Sequence, residues 1–347
     1  MTPALMALGW RPELEHQLEA EPTDRQPARV VRDGRDRYRV EGARSGVARL
    51  AGALLGGDRP VVGDWVLVGA RPGDTLLTIH DVLPRRSWLG RRAAGGDRQG
   101  QLLAANLDQV WVVCGLDRDQ GLRSIQRYLT LVRDGGARPL VVLNKLDACA
   151  DPEGTMLRAE AEAGDAPVVA ISALDGSLSA LEAHLAPAQT CCLVGPSGVG
   201  KSTLCNRLLG GQHLDTGEVR GGDRRGRHTT SSRALLPLAG GALLIDTPGL
   251  REIGLWLEAD GLERTFEDVS ALAALCRFRD CSHDNEPGCA VREGLATGAL
   301  PAERFLAWLE LEAEVRSQRA RAKVGNSKRR HKPISKFVRQ HKRRRGR

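Results

Sequence analysis

The run Gly195-Pro196-Ser197-Gly198-Val199-Gly200-Lys201-Ser202 puts glycines, one lysine and one hydroxyl at the spacing that wraps a chain of phosphates. Glycines let backbone amides approach phosphate oxygens, and a helix beginning at the lysine adds the partial positive charge of its N-terminus. Lys201 would reach the β- and γ-phosphates, Ser202 would ligate Mg²⁺ through its hydroxyl, and Thr203 completes the phosphate-contacting set. A second group, Asn144-Lys145-Leu146-Asp147, can choose the base. The Asp147 carboxylate can accept from guanine N1–H and the exocyclic amine together, a pair that adenine does not offer. Leaving that acceptor unpaired against the wrong base costs ~1–3 kcal/mol, which is the source of selectivity. Lys145 would lay its stem over the purine plane, and Asn144 would tie this loop to the phosphate loop. Ser172-Ala173-Leu174 follows another apolar run and fits a loop whose amide meets the guanine oxygen. A turn of Asn and Asp after a strand could arise for structural reasons alone, but three compatible groups point to GTP.

Two further segments fit the γ-phosphate end. Asp246-Thr-Pro-Gly249 would hold Mg²⁺ through water at Asp246 and sense the γ-phosphate with the Gly249 amide. Gly226-Arg-His-Thr-Thr230 lies in a Gly- and Arg-rich stretch without regular pattern, suited to a switch, with Thr230 as the Mg²⁺ ligand and Thr229 the alternative. Where many GTPases carry a water-positioning Gln, this chain has Leu250, which cannot orient water. His228 is the candidate replacement, against a structural or RNA-contacting role for it. The expected catalytic set is His228, Lys201 and Thr230, with unassisted turnover on the order of ~10⁻⁴ s⁻¹.

Cys276, Cys281, His283 and Cys289 supply three thiolates and an imidazole within a polar segment rich in Asp, Asn, Pro and Gly. That is the donor set of one closed, tetrahedral, structural Zn²⁺ site, and four protein ligands leave no open catalytic position. The other five cysteines are scattered, three of them (Cys114, Cys191, Cys192) in apolar runs, and read as small core hydrophobes in a reducing compartment. The net charge of +8 hides an asymmetry: residues 316–347 hold 15 of the 51 Lys and Arg and none of the 43 Asp and Glu, so the rest is acidic by seven. A tail of this kind is the footprint of a polyanion such as RNA. With 12 aromatics in the whole chain, stacking platforms are scarce, so binding would be phosphate-driven and salt-sensitive.

These groups need elements to hold them. From about 28 to 90, short alternating runs broken by Gly and Pro (Ala28–Val31, Arg37–Val40, Val61–Val68, Thr75–Ile79) predict a small β-barrel, of oligonucleotide-binding or SH3-like type. From Leu107 the pattern becomes α/β: strands over Asp108–Cys114, Pro139–Leu143, Pro167–Ile171, Thr190–Val194 and Ala242–Ile245, with a helix over Arg123–Arg133. Continuous apolar strands alternating with helices predict a parallel sheet covered on both faces, with the ligand groups at the strands' carboxyl ends. After Gly254 the chain reads as mainly helical, with a last helix over Glu303–Val315. The expected division is an extension (1–27), a barrel (28–95), a nucleotide domain (96–257), a zinc domain (258–315) and a basic tail (316–347). No stretch approaches the ~18–20 apolar residues that span a bilayer, and no secretory signal opens the chain, so a soluble, cytoplasmic protein is expected; a monomer is expected as well.

The base reader precedes the phosphate loop, whereas in an ordinary GTPase it follows. This order, with Ser172-Ala173, His228-Thr-Thr230, Asp246-Thr-Pro-Gly249, the Cys/Cys/His/Cys spacing, Val62-Gly-Asp-Trp-Val66 and Arg85-Arg-Ser-Trp88, closely resembles the bacterial ribosome small-subunit-dependent GTPase A family of circularly permuted GTPases. The resemblance covers about residues 28–310. It implies an oligonucleotide-binding (OB-fold) barrel, a central permuted GTPase domain and a C-terminal zinc domain. It further implies late maturation of the small (30S) ribosomal subunit, GTP hydrolysis stimulated by that subunit, and contacts to its 16S rRNA. Two other functions would use the same motifs: a GTP-regulated RNA-binding protein with negligible turnover, and a GTPase of large-subunit assembly, which the zinc spacing disfavours. Because the chain is permuted, the second switch leads at once into the zinc and basic segments, an order that would couple nucleotide state to the grip on RNA.

Overall fold

Small and β-branched residues alternating with charged ones build the first sheet of the computed structural model. It describes residues 2–18, 24–34, 36–55, 59–70, 73–91, 101–116, 122, 124–211, 233–246, 262–263, 265–284, 286–302, 304–309 and 311–313. Five strands, β1 (Gln26–Arg32), β2 (Tyr38–Gly42), β3 (Gly46–Leu50), β4 (Trp65–Gly69) and β5 (Leu77–Val82), run in the order β1-β2-β3-β5-β4. β4 then pairs with β1 and closes a five-stranded barrel in which only β3–β5 is parallel. Closure and strand order are those of the oligonucleotide-binding type rather than an open sheet. The inward residues Val30, Val40, Ala48, Val66, Val68 and Ile79 are fully buried. β3 is a strand the sequence reading lacks: Gly46 opens it and Arg49 interrupts its short apolar run.

A short ribbon, β6 (Trp88–Arg91) with β7 (Gln101–Ala105), leads into the nucleotide sheet. There β8 (Gln109–Gly115), β9 (Arg138–Asn144), β10 (Val168–Ala170), β11 (Thr190–Val194), β12 (Ala234–Pro237) and β13 (Leu243–Asp246) take the order β10-β9-β8-β11-β13-β12. All neighbours are parallel except β12, which runs antiparallel to β13. The parallel sheet and its strands fall where the apolar runs place them; β12 was not foreseen. Trp111, Leu140, Cys191, Leu204 and Leu244 anchor its core.

The N-terminal residues pack on the barrel. Helix α1 (Pro3–Ala7) is capped by the Thr2 hydroxyl, and Leu5, Trp10 and Leu14 bury themselves against Trp65, Leu67 and Leu83. Trp10 meets Trp65 edge-on, with ring centroids 4.8 Å apart.

The barrel and the nucleotide sheet are continuous. Beyond the stretch where β1 pairs with β4, its end turns to β12, with Arg32 opposite Ala234. Asp33 clamps this junction, accepting from the Arg233 guanidinium at 2.6 Å and from the Arg233 amide at 3.2 Å. The segments around Asp64 and Arg85 also join. Fully buried Asp64 accepts two bonds of 2.8 Å from Arg85, while burial pushes its carboxyl pKa up. Arg86 reaches Asp108, whose other oxygen accepts from the Thr190 amide.

At the centre lies Arg29, 1% exposed. Its guanidinium donates to the carbonyls of Gly63, Leu8 and Asn106 and to the Thr190 hydroxyl, at 2.5–3.1 Å, and rests 5.3 Å from the Trp65 ring. Burial lowers its pKa to about 10, so it stays charged at neutral pH. Leaving such buried neutral acceptors unpaired costs about 1–3 kcal/mol for each one left dry. Arg29→Met is therefore expected to lower the denaturation midpoint clearly, and Arg29→Lys to restore little, because an ammonium cannot reproduce the fork. An unchanged midpoint in urea for Arg29→Met would disprove the role.

The described residues after 261 belong to a second compact unit. Helices over Glu267–Ala274 and Ala290–Thr297 pack together, with Gly294 tight against Leu272. Residues 304–309 and 311–313 are helical, as the expected last helix requires. Arg304 binds Asp268 and covers the Phe266 ring at 4.9 Å. Among the described residues no helix is long and apolar enough to cross a membrane. The basic tail lies outside the described residues.

Candidate functional site

The ends of β11, β9 and β13 lie on one side of the sheet, and each carries one of the motifs. β11 ends at Val194, the loop Gly195–Gly200 follows, and helix Lys201–Leu208 begins at the lysine. Gly200 has φ +94°, a left-handed value that favours glycine, and a Cβ there would stand 2.2 Å from Asn144 Nδ2. No other residue fits the position. Lys201 is 9% exposed, and its ammonium donates to the carbonyls of Gly195 (2.8 Å) and Pro196, which holds it at the rim of the loop. Ser202 and Thr203 follow in the first helical turn, half-buried.

Asn144 is the hub. Its Nδ2 donates to the Val199 carbonyl of the phosphate loop at 2.8 Å, and its Oδ1 accepts from the Ala173 amide at 2.8 Å. One buried side chain thus fastens three segments that are distant in sequence. Lys145 turns the chain with φ +69°, leading into the short turn Leu146–Ala148 that carries Asp147. Such a conformation costs a side-chain-bearing residue about 1–2 kcal/mol and is retained where surroundings enforce it. Asp147 is exposed, and its Oδ1 accepts from the Ser172 hydroxyl at 2.7 Å. Leu174, 72% exposed, stands beside a cavity of 570 Å³ that Thr203, Asn206 and Arg207 also line.

Ile245 pairs with Cys192, which places Asp246 at the same end of the sheet as the phosphate loop. Ser202 and Asp246 offer the hard oxygen donors that suit Mg²⁺. His228, Thr229, Thr230, Gly249 and Leu250 lie outside the described residues. Arg207 was not singled out from the sequence. It is one basic residue in a helix, and no spacing marks it.

In the second unit, Cys276, Cys281, His283 and Cys289 converge, with ligand atoms all within 4.8 Å of one another. Zn–S bonds of about 2.3 Å in a tetrahedron require sulfurs about 3.8 Å apart. Cys276 and Cys289 sulfurs are separated by 3.8 Å, and His283 Nδ1 lies 3.7 and 3.5 Å from them. The donors therefore fit one zinc ion in both chemistry and size. His283 adopts φ +63°, and its ring packs against Trp308 at 5.8 Å and Phe305 at 6.4 Å. The cysteines of the nucleotide sheet behave differently. Burial pushes the Cys114 thiol up to about 12 and raises those of Cys191 and Cys192, as expected of inert core residues.

Residues 82–256 match the family model described as RsgA GTPase. Residues 178–340 also match a model described as ABC transporter, over a stretch that holds the phosphate loop but not the guanine reader at 144–147. The small ribosomal subunit biogenesis GTPase RsgA of Syntrophotalea carbinolica is 44% identical over 326 residues, 89% of each chain. The protein of the same name from Opitutus terrae is 49% identical over 265 residues, 74% of this chain and 72% of its own. Among solved structures, YjeQ from Thermotoga maritima superimposes with a TM-score of 0.62 at 25% identity, over 84% of this chain and 98% of that one. YloQ, described as a circularly permuted GTPase, gives 0.62 at 23%, over 86% and 98%, and speaks for the fold. A family model over half of the chain and relatives 44% and 49% identical over most of it agree with a guanine reader that precedes its phosphate loop: the chain belongs to the RsgA GTPase family.

Proposed function

We propose that this chain binds the small ribosomal subunit, assists its late maturation and hydrolyses GTP to GDP and phosphate when the subunit stimulates it. The observation that carries the nucleotide reading is the double bond of Asn144 to the phosphate loop and to the Ala173 loop. It makes base choice and phosphate grip parts of one rigid site. The names of the relatives supply the subunit.

In this reading Gly195, Pro196, Ser197, Gly198, Val199 and Gly200 wrap the phosphates, and Lys201 neutralises charge developing on the β- and γ-oxygens. Asp147 and Lys145 read the base, with the Ser172–Leu174 loop beside them. Mg²⁺, held by Ser202 and Thr230 and through water by Asp246, would supply charge neutralisation across the same oxygens. Gly249 senses the γ-phosphate, and His228 orients the attacking water in place of the glutamine that Leu250 replaces. Zn²⁺ on Cys276, Cys281, His283 and Cys289 is structural. The barrel (28–95) and the tail (316–347) grip 16S rRNA, chiefly through phosphates. The nucleotide domain (96–257) and the zinc domain (258–315) complete a monomer working in the cytoplasm.

Multiple-turnover phosphate release, measured alone and with purified small or large subunits, tests this. The expected result is a large stimulation by small subunits only. Stimulation by large subunits alone would move the protein to the other assembly line, and none by either would leave a GTP-regulated RNA binder. In the same assay His228→Ala should lose most of the stimulated rate; full retention removes His228 from the mechanism.

A further inference from the structure

Resting on the guanine reading above, the geometry points to Arg207 as a positioning residue for base recognition. Arg207 sits in the last turn of the helix that opens at Lys201, and its carbonyl accepts from the Gly210 amide. A basic side chain near a helix C-terminus has an ordinary explanation, since it faces the negative end of the dipole. This one does more. Its guanidinium leaves the helix and donates to two carbonyls of a different segment, Gly176 at 2.7 Å and Ser172 at 3.3 Å.

Those two carbonyls bound a single turn, which the Gly176 amide also closes onto the Ser172 carbonyl at 3.1 Å. A planar fork can bridge both at once, whereas an ammonium cannot keep both with the same geometry. Ser172 is the residue whose hydroxyl donates to Asp147 Oδ1 at 2.7 Å. A chain of contacts therefore runs from the phosphate-loop helix through Arg207 and Ser172 to the carboxylate that reads guanine. Asn144 fastens the same loop from the other side, through the Ala173 amide. Asn144 fixes the loop's centre and Arg207 its base. Together they hold the loop from which the Ser172 hydroxyl donates to the Asp147 carboxylate. Arg207 does not touch the base; it acts through Ser172.

The test compares nucleotides that differ only where Asp147 reads them. Inosine nucleotides keep N1–H and the O6 carbonyl but lack the exocyclic amine, so the ratio of GTP to ITP affinity reports how well the carboxylate is aimed. For Arg207→Ala, GTP affinity should fall by roughly tenfold, the size of one or two charge-assisted hydrogen bonds at a partly exposed position. ITP affinity should fall less, so that the ratio shrinks, and Arg207→Lys should regain part of it. Equal losses for GTP and ITP would show mere loosening and overturn the proposal, as would an unchanged GTP affinity. If Arg207→Ala does not fold, Arg207→Gln, which keeps one donor to one carbonyl, carries the same comparison. Wild-type protein that fails to prefer GTP over ATP would instead refute the guanine reading itself, and this proposal with it.

Discussion

Cys276→Ser protein is expected to purify without stoichiometric zinc, and residues 265–300 are expected to exchange their amide hydrogens as an unfolded chain. The reason is the small core of this unit. Among its described residues the buried apolar side chains are few (Leu262, Phe266, Val269, Cys289, Val291, Leu300, Phe305 and Leu311), and Leu275 and Phe278 are exposed. Two helices of eight residues each cannot hold themselves in water. Metal binding in comparable sites contributes about 10–16 kcal/mol, far more than this packing can replace. The left-handed backbone of His283 adds a local cost that only ligation offsets. Chelation of wild-type protein should give the same exchange pattern. Full protection without zinc would show that the Cys₃His arrangement is packing and not a metal site. The barrel and the nucleotide sheet have their own buried cores and should keep their protection.

The second large effect concerns Lys201. Lys201→Ala should lower GTP turnover by about 10²–10³, the size of losing one preorganised donor to developing charge. The side chain is buried, and its place is fixed by the Gly195 and Pro196 carbonyls, so no neighbour swings in to substitute. Lys201→Arg should recover little, because a guanidinium is larger than the compact ammonium held at this buried position. Single-turnover hydrolysis with small subunits present decides the matter; a loss below threefold would remove Lys201 from the chemistry.

Much of this site was legible in the residues because its chemistry forces local patterns. The strand Thr190–Val194 is found over the residues its apolar run predicted, since a strand buried on both faces leaves no polar interruption. The Cys₃His donors were equally visible, because such a spacing has few other uses. What stayed hidden depends on what covers a surface. Arg29 follows Ala28 and precedes Val30, so alternation places it on the barrel's outer face, which normally means solvent. Period two tells which face a residue occupies, not whether another layer lies over it; here residues 8, 106 and 190 do. Trp10 and Leu14 were missed because turns of five residues or fewer carry too little periodicity to register. Arg207 was missed because a fork onto two distant carbonyls leaves no trace in spacing.

The register between Arg32 and Ala234 has a practical consequence for anyone dissecting the protein. A fragment lacking the barrel would leave β12 as the outer strand of the nucleotide sheet, without the β1 partner of Ala234. A fragment ending after the barrel would uncover Arg29 and remove two of its four acceptors, the Asn106 carbonyl and the Thr190 hydroxyl. The natural place to separate this protein is therefore not between barrel and nucleotide sheet. Those two are one building block, and truncation series or chimeras should move residues 2–246 together.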